Sequence, residues 1–235
     1  MKLSYQKILP LTIYLSSLFL LFSQCRPAPK PAVTEQLQAQ QYLFFLHNRF
    51  LETHGLDAAH PQYGKVEYLE ILASFRAAGF EVISEQRQGD VNVQTYAQQL
   101  VRQIDTLLEN GTAPQNITVV GTSKGGYIAQ YVSTFLAHPQ VNYVFIGSYQ
   151  DTDMVEFPDI NFCGNILNIY EISDPYSVSA QARADASALQ VSNYKDVALQ
   201  TGLRHGFLFK ALDEWIQPCV DWANEHSVAS ESAAK

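Results

Sequence analysis

Short apolar runs alternate with longer amphipathic stretches from residue 41 onward. Continuously apolar runs are typical of strands that are buried on both faces of a sheet. Stretches with apolar residues three or four positions apart predict helices that cover such a sheet. The predicted strands are 42–46, 80–84, 117–120, 141–146, 166–170 and, less apolar than the others, 194–199. The predicted helices lie at about 66–75, 93–108, 124–137 and 207–223.

Strand and helix alternate along the chain, and this order decides the fold class. Each helical crossover returns the chain over the sheet, so that successive strands run parallel. The pattern predicts an α/β fold: a mostly parallel sheet of about six strands with helices on both faces. A chain of 235 residues is long enough for one sizeable core. We expect one folded domain over residues 41–226, followed by a flexible tail at 227–235.

The first 25 residues have the pattern of an export signal. Lys2 and Lys7 precede an apolar run of 15 residues, 8–22, which is shorter than the roughly 20 residues that span a bilayer. The segment ending at Cys25 resembles the end of a bacterial lipoprotein signal, in which the cysteine becomes lipidated, although Gln24 replaces the usual small residue. Ordinary secretion and a short uncleaved anchor are the alternatives. The proline-rich residues 26–40 suit a stiff tether.

These features together predict an exported protein of a bacterial cell envelope, either a membrane-anchored lipoprotein or periplasmic. The formal net charge is -8, and the lysines and arginines are scattered. This distribution excludes the basic patch that a nucleic-acid partner requires. In an oxidising compartment, Cys163 and Cys219 form either a disulfide or two buried free thiols, which behave as small hydrophobes.

Ser123 stands in the segment Gly121-Thr122-Ser123-Lys124-Gly125, which has the form Gly-x-Ser-x-Gly. An apolar strand precedes this segment and a predicted helix follows it. A tight turn between strand and helix lifts a serine hydroxyl above the sheet edge, and the two glycines let the strand and the helix nearly touch. The segment therefore predicts a nucleophilic serine. The alternative is a glycine-rich turn that binds an anion at a helix N-terminus.

A serine hydroxyl needs a base to take its proton, and three histidines follow Ser123 in the chain. His138 ends the helix of Ser123 at the wrong end of the sheet, and His226 lies near the chain end. His205 falls in the loop between the last strand and the last helix, where a base is expected. Asp174 directly follows the strand at 166–170 and is the candidate acid that orients His205, favoured over Glu171, Asp153 and Asp159.

Ser123, Asp174 and His205, in that order and on those loops, resemble the catalytic triad of the α/β-hydrolase superfamily. The resemblance covers about residues 41–223 and implies a minimal member that lacks the usual first two strands and the lid. It also implies an oxyanion hole made by the N–H of Lys124 and an N–H of the loop after the first strand here. Many members carry His-Gly in that loop. This chain has His47-Asn48, so that the second donor is the N–H of Asn48 or of Arg49.

The resemblance implies a serine hydrolase that cleaves an ester or related acyl bond of a small-molecule substrate through an acyl-enzyme, with no cofactor and no metal. Peptidase or amidase activity is an alternative within enzymes. A non-catalytic envelope protein that binds a ligand or partner in the same cleft is the alternative outside them. The side chains expected near the cleft are candidate substrate contacts: Arg49, Arg87, Tyr127 and Tyr176. The alternatives for the two arginines are pairing with Glu52 and Glu85 at the same sheet edge and solvation at the surface.

Overall fold

A computed structural model describes residues 40–227 of the chain. The strands are β1 Tyr42–Leu46, β2 Ala59–His60, β3 Gly64–Lys65, β4 Glu81–Ile83, β5 Ile117–Thr122, β6 Asn142–Ile146, β7 Gly164–Glu171 and β8 Val191–Leu199. Six of them form one parallel sheet in the order β4-β1-β5-β6-β7-β8, and β2 and β3 form a separate two-stranded hairpin.

Helices cover both faces of the sheet. The helices are α1 Phe50–Thr53, α2 Tyr68–Ala77, α3 Val93–Glu109, α4 Lys124–Leu136, α5 Asp153–Glu156, α6 Gln181–Ala186 and α7 Asp213–Glu225, with 3₁₀ turns at Pro114–Asn116 and Arg204–Phe209. Helices α2 and α7 bury their apolar residues in one cluster, and α3, α4 and α6 do so in a second cluster on the opposite face. The predicted α/β class, with a parallel sheet between two helical layers, is confirmed.

The predicted elements differ from the structure mainly where the chain is least periodic. The final helix begins at Asp213, not near Phe207, because the apolar residues from Phe207 to Phe209 form part of a buried 3₁₀ turn. Strand β8 begins at Val191 and is longer than expected. It is an edge strand with many exposed positions, so its sequence lacks the continuous apolar run that marks a central strand. The hairpin β2-β3 was not predicted.

The centre of the sheet positions the turn after β5. Strand β5 lies between β1 and β6, and Leu46 at the end of β1 is in register with Gly121. A Cβ atom on Gly125 would lie 2.0 Å from the carbonyl oxygen of Leu46, and one on Gly121 would lie 2.2 Å from the carbonyl oxygen of Gly125. Real Cβ atoms do not approach backbone atoms so closely. The two glycines of the motif therefore allow the first turn of α4 to sit directly on the ends of β1 and β5.

Cys163 and Cys219 are both buried free thiols, so the disulfide alternative is wrong. Cys219 lies in α7, and its Sγ donates a hydrogen bond to the carbonyl oxygen of Trp215 at 3.0 Å. The backbone N–H of Cys163 donates to Ser133 Oγ of α4 at 2.7 Å. Helices α4 and α7 cover opposite faces of the sheet. The backbone of Cys163 is therefore attached to the layer of α4, whereas Cys219 belongs to the layer of α7.

The predicted export signal, lipidation site at Cys25, tether and C-terminal tail lie outside the described residues, 40–227. Within those residues, no helix is both long enough and apolar enough to cross a membrane.

Candidate active site

Ser123 occupies the turn between β5 and α4 and has an unusual backbone conformation. Its φ is 50° and its ψ is -119°, a combination that non-glycine residues rarely adopt. The turn is held by the N–H of Ser123, which donates to the carbonyl oxygen of Ile146 at 2.8 Å. The Ser123 carbonyl in turn accepts from the N–H groups of Gly126 and Tyr127, at 2.8 and 3.2 Å. This strained turn is the nucleophile-elbow geometry that the sequence motif predicts.

Three predicted residues from three separate loops form one hydrogen-bonded chain. His205 Nε2 lies 3.0 Å from Ser123 Oγ, and His205 Nδ1 lies 2.6 Å from Asp174 Oδ2. The side chain of Asp174 is fully buried, whereas that of His205 is 17 % exposed. A buried carboxylate that accepts from Nδ1–H leaves Nε2 as the free acceptor, and Nε2 is the nitrogen that faces the serine hydroxyl.

The loop that carries Asp174 is fixed by further hydrogen bonds. Asp174 Oδ1 accepts from the N–H of Tyr176 at 3.0 Å, and its Oδ2 accepts from Ser177 Oγ at 3.0 Å. Glu171, the competing acid, instead joins this loop to the loop of His205, because its carboxylate accepts from Ser173 and from Thr201. Burial alone would raise the pKa of Glu171, but these hydrogen bonds outweigh it and lower the pKa.

The loop after β1 lies beside Ser123. Asn48 and Arg49 line the same cleft as Ser123 and His205. Among the described residues, the non-glycine residues with positive φ are Ser123, Ala137 and Arg204, so Asn48 has no left-handed backbone. An asparagine in place of glycine therefore strains nothing here. The Lys124 N–H belongs to the first residue of α4, where helical N–H groups have no partner within the helix.

His47, the residue before Asn48, is buried and neutral. Burial, and next the positive charge of Arg87, lower its pKa from 6.5 to about 3. Its Nδ1–H donates to the carbonyl oxygen of Asn48 at 2.7 Å, because its Nε2 accepts from the N–H of Arg87 at 2.8 Å. The ring is thus a fixed neutral link between the loop after β1 and the segment after β4.

The neutral state of His47 predicts acid sensitivity. Unfolding lets the imidazole bind a proton below pH 6.5, whereas the folded protein resists protonation down to about pH 3. Stability from this group is complete above pH 6.5 and is lost as the pH falls toward 3. Between pH 7 and pH 5 we expect a loss of about 2 kcal/mol in the free energy of unfolding from this residue. Urea unfolding of the wild type and of His47→Gln at both pH values measures it. Equal losses in the two proteins would contradict the assignment.

Two clefts meet at Ser123. The larger cleft has a volume of about 540 Å³ and its apolar wall is formed by Val91, Val93, Tyr127, Tyr131 and Phe157, with Arg49, Asp90, Asn92 and Lys124 at its polar side. The smaller cleft has a volume of about 290 Å³ and is lined by Asn48, Arg49, Phe50, Thr53, His60, Tyr63, His205 and Phe209. His205 lines only the smaller of the two, and Lys124 only the larger.

The predicted substrate contacts have different outcomes. Arg87 is wrong: its side chain is fully buried and is bound to Glu52, so it cannot receive a group of a substrate. Arg49 lines both clefts, with an exposed side chain that pairs with Asp90 at 3.1 Å. Tyr127 lines the larger cleft and donates to Asp153 Oδ2 at 2.8 Å. Tyr176 is half exposed and its ring meets the His205 ring edge to face.

Several residues of the site were not predicted from the sequence. The apolar wall of the larger cleft includes Val91, Val93 and Phe157. These residues come from loops or helix ends, and nothing in their local sequence indicates that they line a cleft. Asp90 reaches Lys124 across 34 positions of sequence, and the sequence contains no pattern that would pair them. Within residues 40–227, no three His, Cys, Asp or Glu side chains are grouped so that they could hold a metal ion.

No protein-family model and no curated protein sequence matches this chain. Solved structures do. SOBER1 of Arabidopsis thaliana shares 13% identity, with a TM-score of 0.54 over 80% of this chain and 99% of that one. An esterase/lipase from an uncultured bacterium shares 15% identity, with a TM-score of 0.52 over 84% of this chain and 78% of that one. A mutant of the esterase E40 shares 14%, with a TM-score of 0.53 over 80% and 76%. With its six parallel strands between two helical layers, the chain has the α/β-hydrolase fold.

Proposed function

We propose that this protein is a serine hydrolase that cleaves an ester or a related acyl bond through an acyl-enzyme. The observation that carries the proposal is the hydrogen-bonded chain from Ser123 Oγ through His205 to Asp174, with contacts of 3.0 and 2.6 Å. That chain lies at the junction of two clefts. Two of the structural neighbours are esterases, which favours an ester over an amide.

In the first half of the reaction, Ser123 Oγ attacks the carbonyl carbon while His205 Nε2 takes the hydroxyl proton. Asp174 stabilises the imidazolium that forms, and its own bonds to Tyr176 and Ser177 hold the carboxylate in place. The tetrahedral intermediate collapses when its bond to the leaving oxygen breaks and His205 gives the proton to that oxygen. An alcohol leaves, and the acyl group remains on Ser123.

In the second half, water attacks the acyl-enzyme and His205 takes its proton, so that an acid is released and Ser123 regains its hydrogen. Both tetrahedral intermediates carry a negative oxygen that needs donors already in place. The Lys124 N–H and one N–H of Asn48 or Arg49 are the donors we assign. Support for this assignment is the ordinary backbone of Asn48 beside Ser123 and the free first N–H of α4.

The proton that His205 gives to the leaving oxygen decides which part of the substrate each cleft binds in this mechanism. The leaving oxygen must lie next to His205 Nε2, because this atom returns the proton. The leaving group therefore belongs in the smaller cleft, which His205 lines. The acyl group stays with Ser123 and extends past Lys124 into the larger cleft. A mostly apolar wall around about 540 Å³ suits an uncharged acyl group larger than acetyl.

Val93→Trp tests this assignment by filling the larger cleft. We expect kcat/KM for an octanoyl ester to fall about 10-fold or more, because the long acyl group loses its apolar site. The acetyl ester of the same alcohol should change less than about twofold. Steady-state rates on esters of graded acyl length measure the effect.

A matched control is Gln98→Trp, which places the same side chain on the exposed surface of α3. It should leave both esters unaffected. If Val93→Trp lowers the rates on both esters equally, or on esters with a bulky alcohol alone, the acyl group does not occupy the larger cleft.

Labelling with a fluorophosphonate probe separates the enzyme from a binding protein that uses the same cleft. A fluorophosphonate forms a covalent adduct only with an activated nucleophile, so the expected result is one adduct on the peptide that contains Ser123, identified by mass spectrometry. Its absence from an otherwise folded protein would support the binding alternative. An asparagine in the oxyanion loop, where glycine is common, favours the binding alternative only if it distorts the loop, and the backbone of Asn48 is ordinary.

A further inference from the structure

Five charged side chains form one connected group that runs from the polar side of the larger cleft into the interior: Arg49, Glu52, Arg87, Asp90 and Lys124. Three are cations and two are carboxylates, so the group carries one positive charge in excess. Two members are fully buried, Glu52 and Arg87. The others become progressively more exposed toward the surface, where Arg49 pairs with Asp90.

Glu52 lies at the centre of this group. Its Oε1 accepts from Arg87 Nε at 2.9 Å, and its Oε2 accepts from Lys124 Nζ at 2.6 Å. Its side chain has no exposed surface. A buried carboxylate is stable only if cations and donors satisfy both oxygens, and here one cation takes each oxygen. The two cations are thereby held at a fixed separation.

Each of these two cations is connected to a segment that carries one donor of the proposed oxyanion hole. Lys124 is the residue whose backbone N–H is the donor at the start of α4. Arg87 Nη2 donates to the carbonyl oxygen of His47, and the Arg87 N–H donates to His47 Nε2 at 2.8 Å. His47 in turn holds the carbonyl of Asn48. Glu52 is therefore joined through Lys124 to α4 and through Arg87 to the loop after β1.

We propose that Glu52 is a positioning residue that fixes the spacing between the two halves of the oxyanion hole. The inference rests on the proposed hydrolase function, because it concerns the donors of that reaction. Glu52 contacts no reacting atom. It acts through the Lys124 ammonium and the Arg87 guanidinium, and it joins three segments that meet at Ser123: the α1 turn, the segment after β4 and the first turn of α4.

The direction in which one substitution changes the rate distinguishes a positioning role of Glu52 from a simple effect of its charge. Glu52→Gln removes one negative charge and raises the local excess positive charge from one to two. A purely electrostatic role predicts that a developing oxyanion gains from this change or is unaffected. A positioning role predicts a loss, because the glutamine NH₂ group cannot accept from a cation and one of the two links breaks.

The experiment compares wild type and Glu52→Gln in steady-state ester hydrolysis. We expect kcat to fall about 10- to 100-fold, the range produced by a misplacement of up to about 1 Å, with KM changed less than about threefold. The affinity for a trifluoromethyl ketone, which mimics the tetrahedral intermediate, should fall in parallel with kcat. The pH at half-maximal kcat should be unchanged, because His205 and Asp174 are untouched. A role in folding alone would not produce this split between kcat and KM.

Glu67→Gln is the matched control, since it is also a glutamate paired with a lysine, at 2.9 Å from Lys210, but belongs to neither cleft. It should keep the wild-type kcat. If Glu52→Gln does not fold, Glu52→Asp tests the same link. It keeps the negative charge, so an electrostatic role predicts no change, but the shorter side chain cannot reach both Arg87 and Lys124, so that kcat should fall with little change in KM. A folded variant of either kind with kcat within about threefold of wild type overturns the inference.

Labelling with the fluorophosphonate separates the hydrolase function from the role of Glu52. If fluorophosphonate does not label Ser123 in the wild type, the hydrolase function fails and the inference fails with it. If the wild type is labelled and Glu52→Gln is labelled at the same rate, the function stands and only the role of Glu52 is rejected.

Discussion

Ser123→Ala is expected to lower kcat for ester hydrolysis by at least about 10⁴-fold. Alanine has no hydroxyl for His205 Nε2 to activate, so no acyl-enzyme can form. The substrate still binds, because both clefts are unchanged, and KM should remain within a few-fold of wild type. Alanine also keeps the turn as strained as serine does, since both side chains disfavour φ of 50°. The folded protein should therefore have the stability of the wild type.

Initial rates on a p-nitrophenyl ester, with protein purified twice to remove host esterases, measure this loss. Ser192→Ala, on the exposed edge strand β8, is the matched control and should retain full activity. Activity that survives in Ser123→Ala at more than about one part in a hundred would place the chemistry on another residue.

The second large effect is expected from Asp174→Asn, with a loss in kcat of about 10⁴-fold. The asparagine amide cannot accept from His205 Nδ1–H as a carboxylate does, and its NH₂ group favours the opposite tautomer. In that tautomer Nε2 carries a hydrogen and cannot take the proton of Ser123. The loss should become smaller at high pH, where hydroxide substitutes for the missing base.

Asp196→Asn provides the control for the same chemical change. Asp196 accepts hydrogen bonds from Asn168, Ser179 and Tyr194 at 2.6–2.8 Å, on the β7–β8 side of the sheet and outside both clefts. Its variant should keep the wild-type kcat even if stability falls. Should Asp174→Asn remain active while Glu171→Gln becomes inactive, the acid has been assigned to the wrong residue.

The proximity of Ser123, His205 and Asp174 could be predicted because it follows from chain order and strand direction alone. Ser123, Asp174 and His205 each follow a strand of a parallel sheet, and the carboxyl ends of parallel strands meet at one edge. The apolar runs that mark central strands were equally informative. The start of the final helix was predicted too early because Phe207 to Phe209 are apolar for a different reason: they form a buried 3₁₀ turn in the core cluster shared with α2 and α7.

The charge network could not be predicted in the same way. Arg87 and Glu52 are 35 positions apart, and nothing in their local sequence shows that they pair in the interior. From sequence, both are expected in loops at the same sheet edge, where pairing and solvation are both open and solvation is the more common outcome. Asn48 shows a second limit: it stands where many α/β hydrolases carry glycine, and only the structure shows that its φ is not positive. Non-local pairing and backbone angle are both consequences of the assembled fold.

The rates at which the two buried free thiols are alkylated measure how often the fold opens locally around each of them. Burial raises the pKa of both Cys163 and Cys219, so neither reacts as a thiolate while its surroundings are closed. Cys219 lies in α7, and the backbone of Cys163 is hydrogen-bonded to Ser133 of α4, so that the two residues are attached to the two layers that enclose the sheet. In a chain with Cys25 changed to serine, the rate at which each thiol is alkylated by a small reagent gives the opening frequency of its own layer. Equal rates would mean that the two layers separate from the sheet in one event, and unequal rates would identify the layer that separates first.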